Sequence, residues 1–179
     1  MRSYRRRLPH IDVPGVPAFV TWRLWGSLPP GRVFEREHLS SGEAFVAWDR
    51  LLDTARSGPF YLRQVEIAGM VQEQLHKADA GGLCSLHAFV IMPNHVHLLC
   101  TPVVSLAEVL RRIKGPTARL ANGLLGRHGV KFWQEEYFDR IVRIGDEFGR
   151  IRRYIEWNPV KAGLVALPEE FRWSSAWRG

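Results

Sequence analysis

A chain of 179 residues has the size of one domain and can bury a core without disulfide staples. Apolar residues at 46% and charged residues at 24% exclude a disordered polyelectrolyte, and no apolar run approaches the ~20 residues of a membrane helix. Lys and Arg number 25 against 18 Asp and Glu, giving a net charge of +7 and a pI near 10.0, which points to an anionic partner, nucleic acid first.

Residues 1–15 read as a basic arm carrying Arg5, Arg6 and Arg7, with no apolar stretch behind it that a secretory signal would need. A cytoplasmic protein is expected, and two cysteines, Cys84 and Cys100, fit a reducing compartment. A core of 17–177 completes a single domain over 1–179. Residues 18–25 are rich in β-branched and aromatic side chains and predict a strand. Residues 41–55 predict a helix, with Phe45, Trp48, Leu51 and Leu52 at helical spacing. A second helix is expected from Pro59 to about Ala80, stopped by Gly81-Gly82.

The pattern then changes. Residues 83–91 and 95–101 predict a hairpin around Met92-Pro93-Asn94. Ser105 and Glu108 form a capping-box signature for a helix to about Leu125. A short strand is expected near 137–143. A last helix starts at Asp146 and is expected to end at Pro159, because proline disfavours helix in the residue before it. The order of elements predicts an α+β domain, ferredoxin-like, with a central and mainly antiparallel sheet.

The sharpest chemical signal is His95-Val96-His97. Residues two apart on a strand share a face, so the two imidazoles project together as a candidate pair of metal ligands. Taken alone, such a pair is more often two unconnected histidines. A zinc site drawing on Cys84, His87 and Cys100 is the rival, and strand parity turns Cys100 away from His97. On the last helix Tyr154 and Asn158 stand at i and i+4 and share one face. Tyrosine is a nucleophile for covalent catalysis, although a pKa of ~10 makes it weak unless a cation favours the phenolate. Taken alone, Tyr154 reads equally well as a core tyrosine and Asn158 as the residue closing the helix. A histidine pair with a metal, plus a tyrosine in a basic domain, fits phosphodiester cleavage through a phosphotyrosine that retains bond energy for rejoining. Tyr137 is the rival nucleophile.

The segments MPNHVHLL (92–99), FWQEEYFDRIVR (132–143), YIEWNPVKAGLV (154–165) and RWSSAW (172–177) resemble the REP-associated tyrosine transposases, a branch of the HUH-type single-tyrosine transposases within the IS200-like superfamily. The resemblance implies that His95 and His97 hold one divalent metal, Mg²⁺ or Mn²⁺, and that Asn158 is a third ligand. It implies that Tyr154 is the nucleophile, forming a 5′-phosphotyrosine and releasing a 3′-hydroxyl. The implied partner is single-stranded DNA with hairpins, bound in the bacterial nucleoid by a monomer or homodimer. Arg5, Arg6, Arg7, Arg111, Arg112 and Lys114 are candidate phosphate contacts. The alternative is a non-catalytic single-stranded nucleic-acid binding module on the same fold.

Overall fold

The computed structural model describes residues 2–5, 9–28, 49–54 and 58–179, with backbone only at 2–5, 9 and 11. Six strands are present among them: β1 (Arg2–Arg5), β2 (Pro9–Asp12), β3 (Ala18–Arg23), β4 (Cys84–Ile91), β5 (His95–Pro102) and β6 (Phe138–Ile141). The helices are α1 (Val65–Ala80), α2 (Leu106–Leu124) and α3 (Asp146–Lys161), together with a helical stretch at 49–53. Residues 41–48 of the predicted first helix lie outside the described residues, as do Arg6 and Arg7.

The main sheet has the order β4-β5-β3-β6 with every pairing antiparallel. With α1 before the β4–β5 hairpin and α2 after it, this is the β-α-β-β-α-β arrangement expected. Backbone alternation divides the sheet's two faces. Val20 and Trp22 of β3, Val96 and Leu98 of β5, and Phe89 and Ile91 of β4 pack with Ile67, Val71 and Leu75 of α1 and Val109 and Ile113 of α2. On the other face Phe19, Leu99, Ala88 and Val90 meet Ile155 of α3, with Tyr154 against them. Thr21 is directly opposite His97, and Arg23 directly opposite His95. Cys84 and Cys100 are both in the α1–α2 core, across the sheet from the histidines, so they form no site with them.

Several elements differ from expectation. Arg2–Arg5 and Pro9–Asp12 pair as a hairpin instead of extending as an arm. It is docked: buried His10 Nδ1–H donates to Asp139 at 2.5 Å, and Asp12 Oδ1 accepts the Leu106 N–H at 2.9 Å. The helix expected from Pro59 begins only at Val65, after a single 3₁₀ turn, Tyr61–Arg63, because Gln64 is extended. Half of the predicted capping box forms: Ser105 Oγ accepts the Glu108 N–H, but the Glu108 carboxylate is taken by Arg111 and Arg112.

The largest correction is at Pro159, which does not end α3. The helix continues to Lys161 and closes on Gly163, whose φ of +69° is the left-handed value. Gly163 N–H bonds Val160 O and Leu164 N–H bonds Pro159 O, the Schellman pair. Asn158 is therefore an interior helical residue, not a cap. Beyond α3 the chain returns to the exposed edge of β4. There Ile91 N–H donates to Trp173 O at 2.8 Å, and Ser175 N–H to Phe89 O at 3.0 Å. The edge is thus covered, which blocks edge-to-edge pairing. Among the described residues, no helix is long and apolar enough to cross a membrane.

Candidate metal centre and nucleophile

Strand β5 sets the two imidazoles side by side. His95 Nε2 and His97 Nε2 are 3.0 Å apart, and both side chains are fully buried. Each ring is held from behind. His95 Nδ1–H donates to Asn94 Oδ1 at 2.7 Å, and His97 Nδ1 lies 2.7 Å from Thr21 Oγ1, its neighbour across the sheet. Asn94 is fixed in turn by donating to Leu52 O at 3.0 Å. Since an amide oxygen only accepts, the proton of neutral His95 is on Nδ1 and Nε2 offers its lone pair. Burial, with His97 beside it, pushes the His95 pKa down to about 3, so the ring is neutral at physiological pH. Such outer hydrogen bonds are how ligating histidines are oriented.

The helical stretch 49–53 lays a carboxylate over this pair. Asp49 Oδ1 is 3.0 Å from His97 Nε2 and 3.6 Å from His95 Nε2. From α3, Asn158 Nδ2 donates to Asp49 Oδ2 at 3.3 Å and lies 3.4 Å from His97 Nε2. Tyr154, one turn earlier, donates its phenol O–H to Asp49 Oδ2. Burial alone would raise the Asp49 carboxyl, but His97, His95 and the Asn158 amide hold it below the ordinary value. Asp53 Oδ1 stands 3.8 Å from His95 Nε2, and burial reinforced by the Asp49 charge pushes its pKa up to about 7.

Among the described residues, Asp53 Oδ1 and Asn158 Oδ1 are buried with no hydrogen-bond partner, and Asp49 Oδ1 has only its ion-pair contacts with the two histidines. Left so, each unpartnered oxygen costs desolvation energy, on the order of 1–3 kcal/mol. One ligand atom from each of Asp49, His95 and His97 lies within 4.8 Å of the others. A half-turn of the Asn158 amide exchanges Nδ2 for Oδ1 beside His97. Two imidazole nitrogens and one or two oxygens converging on one point fit a divalent cation, with the nitrogens suited to Mn²⁺ better than to Mg²⁺.

Tyr154 is half-buried. Its ring stands 5.8 Å from that of His97 and 6.1 Å from that of Phe19, centroid to centroid. Lys161 Nζ lies over the face of the Tyr154 ring, 4.4 Å from its centroid.

The structure thus brings His95, His97, Tyr154 and Asn158 together. It does not bring Tyr137, Arg111, Arg112 or Lys114 there. Tyr137 is in the core on the α1–α2 side, its ring 4.2 Å from that of His10, so it is no rival nucleophile for this centre. Arg111 and Arg112 are on α2, across the sheet, and both bond Glu108. Lys114 donates to the Gln134 and Glu135 carbonyls at 2.8 and 3.3 Å. Arg5 is on β1. Asp49 and Asp53 are the residues that sequence reasoning missed. The one signal for them was an acid at position 49, between apolar Phe45, Trp48 and Leu52, in a slot facing the core.

Residues 61–158, just over half of the chain, match the family model described as transposase IS200 like. No curated protein matches the sequence at a significant level. Among solved structures, a REP-associated tyrosine transposase bound to a REP hairpin is similar at a TM-score of 0.61 and 19% identity, over 98% of this chain and 82% of that one. A candidate transposase from Deinococcus radiodurans R1 aligns at a TM-score of 0.45 and 17% identity, over 88% of this chain and 98% of that one. The first establishes the α+β fold, and the family match establishes the lineage: the chain belongs to the IS200-like transposase family.

Proposed function

We propose that the protein is a metal-dependent, single-tyrosine DNA transposase or nuclease. It nicks and rejoins hairpin-bearing single-stranded DNA through a 5′-phosphotyrosine. The observation that carries this reading is one carboxylate, Asp49, which meets His97 through Oδ1 and the phenol of Tyr154 through Oδ2. Nucleophile and histidine pair are thereby tied into one centre within a single chain, so the reading needs no second subunit to complete it.

His95, His97 and Asp49, joined by Asn158 through its amide oxygen, are the residues that would hold Mg²⁺ or Mn²⁺. When bound, that ion supplies Lewis-acid polarisation of a non-bridging phosphate oxygen. The chain's own groups do the rest. Tyr154 Oη attacks phosphorus, its proton directed at Asp49 Oδ2, with Lys161 favouring the phenolate. The bond from phosphorus to the 3′ oxygen breaks, and that oxygen leaves as a 3′-hydroxyl after taking a proton. The strand's 5′ end stays on Tyr154, and the reverse attack by a 3′-hydroxyl rejoins DNA without ATP. The partner proposed is hairpin-bearing single-stranded DNA, as in the structural neighbour bound to a REP hairpin.

The binding-module alternative is less well supported. Stacking of bases on a ferredoxin-like sheet uses an open face. Here α1 and α2 pack on one face and α3 on the other. The test is a denaturing gel with end-labelled hairpin DNA and Mn²⁺. Wild-type and Tyr137→Phe protein form a covalent adduct, and Tyr154→Phe does not. An adduct that persists in Tyr154→Phe overturns the assignment.

A further inference from the structure

Beside Tyr154, α3 carries a stripe of which the chemistry above uses only Lys161. At about 100° per residue, Lys161, Arg150 and Trp157 lie within roughly 60° of Tyr154, on the side away from Asn158, and Arg153 follows next. The four span about 16 Å of helix axis. Arg150, Arg153 and Lys161 are exposed, and the Trp157 indole is 43% exposed, unusual for so large an apolar ring. No hydrogen bond or ion pair to another described residue engages the side chains of Arg150, Arg153 or Trp157. The acids of α3 are mostly held elsewhere: Glu147 pairs with Arg140, and Glu156 with Arg152 on the opposite flank.

We infer that this stripe is the seat of the unpaired strand that runs to and from the scissile phosphate, with Arg150, Arg153 and Lys161 on phosphates and Trp157 stacked on a base. Cations spaced along a line, with an exposed indole among them, match the two elements of single-strand recognition, a basic track and a stacking platform. The occupant is single-stranded DNA and not duplex, because a stacked indole requires an unpaired base face. The inference deepens the proposed function and rests on it for the direction of the strand, but its binding test does not depend on cleavage.

The test uses the full chain carrying Tyr154→Phe, so that no cleavage intervenes, and a fluorescein-labelled oligothymidylate followed by anisotropy. Trp157→Ala weakens binding about tenfold and leaves the salt dependence unchanged, since stacking carries no charge. Trp157→Phe keeps most of the affinity, which separates a lost stacking surface from a lost fold. Arg150→Ala lowers the slope of log K against log salt by about 0.7, one phosphate contact on a single strand. Arg119→Ala, an exposed cation on α2 across the sheet, leaves affinity within twofold. Binding of Trp157→Ala and Arg150→Ala within twofold of the parent overturns the stripe, while leaving a Tyr154 adduct intact as evidence for the catalytic reading. Loss of binding in those variants, with no adduct from the Tyr154-containing protein, sustains the stripe and overturns the catalytic reading instead.

Discussion

Asp49 and Tyr154 come from segments 105 residues apart, yet the tyrosine hydroxyl donates directly to Asp49 Oδ2, while Oδ1 of the same carboxylate lies 3.0 Å from His97 Nε2. One side chain thus joins the tyrosine to the histidine pair, and in the proposed reading it both aims the nucleophile and completes the donor set. Asp49→Asn keeps the shape and removes the charge. It lowers Mn²⁺ affinity by at least about tenfold in calorimetry, since a direct donor should cost no less than an outer partner does. Unchanged affinity would remove Asp49 from the donor set.

Metal binding also reports on stability. Mn²⁺ at about 100 times its dissociation constant stabilises the folded chain by about 2.7 kcal/mol, read as a rise in melting temperature. His95→Ala abolishes that rise. A variant that melts normally and still responds to Mn²⁺ would place the ion elsewhere.

Thr21 acts one bond further out. Its Oγ1 is 2.7 Å from His97 Nδ1, and Thr21→Val is close to isosteric. Mn²⁺ affinity falls about 10- to 100-fold, while unfolding free energy drops by only about 1 kcal/mol. Equal losses in folding and binding would mean that Thr21 serves packing alone.

Gly163 tests the corrected end of α3. Its φ is +69°, and a Cβ there would meet nothing within 4 Å, so the cost of Gly163→Ala is purely conformational. Chemical denaturation should show a loss of about 1 kcal/mol. No loss would mean that the Schellman closure contributes little to holding Asn158 and Lys161 in place.

Features governed by local rules were legible in the sequence. A β-branched hairpin with a Pro-Asn turn and a two-residue period placed His95 beside His97, and i, i+4 spacing placed Tyr154 beside Asn158. Arg111 and Arg112 were read as phosphate contacts, although Glu108, three and four residues before them, takes both guanidinium groups. Asp49 was hidden, since nothing in local spacing joins residue 49 to residues 95 and 97. Pro159 misled because the rule against helix before proline is a steric preference. The buried packing of Ile155, Asn158 and Pro159, with the closure at Gly163, overrides it. The docking of the N-terminal hairpin depended on long-range bonds from His10 to Asp139 and from Asp12 to Leu106, which a basic run does not announce.

The most direct measurement is to trap the covalent adduct with hairpin DNA and Mn²⁺, digest protein and DNA, and locate the attached nucleotide by mass spectrometry. The account predicts a 5′-phosphonucleotide on the peptide containing Tyr154. Attachment to Tyr137, to Tyr61 or to a serine would contradict it.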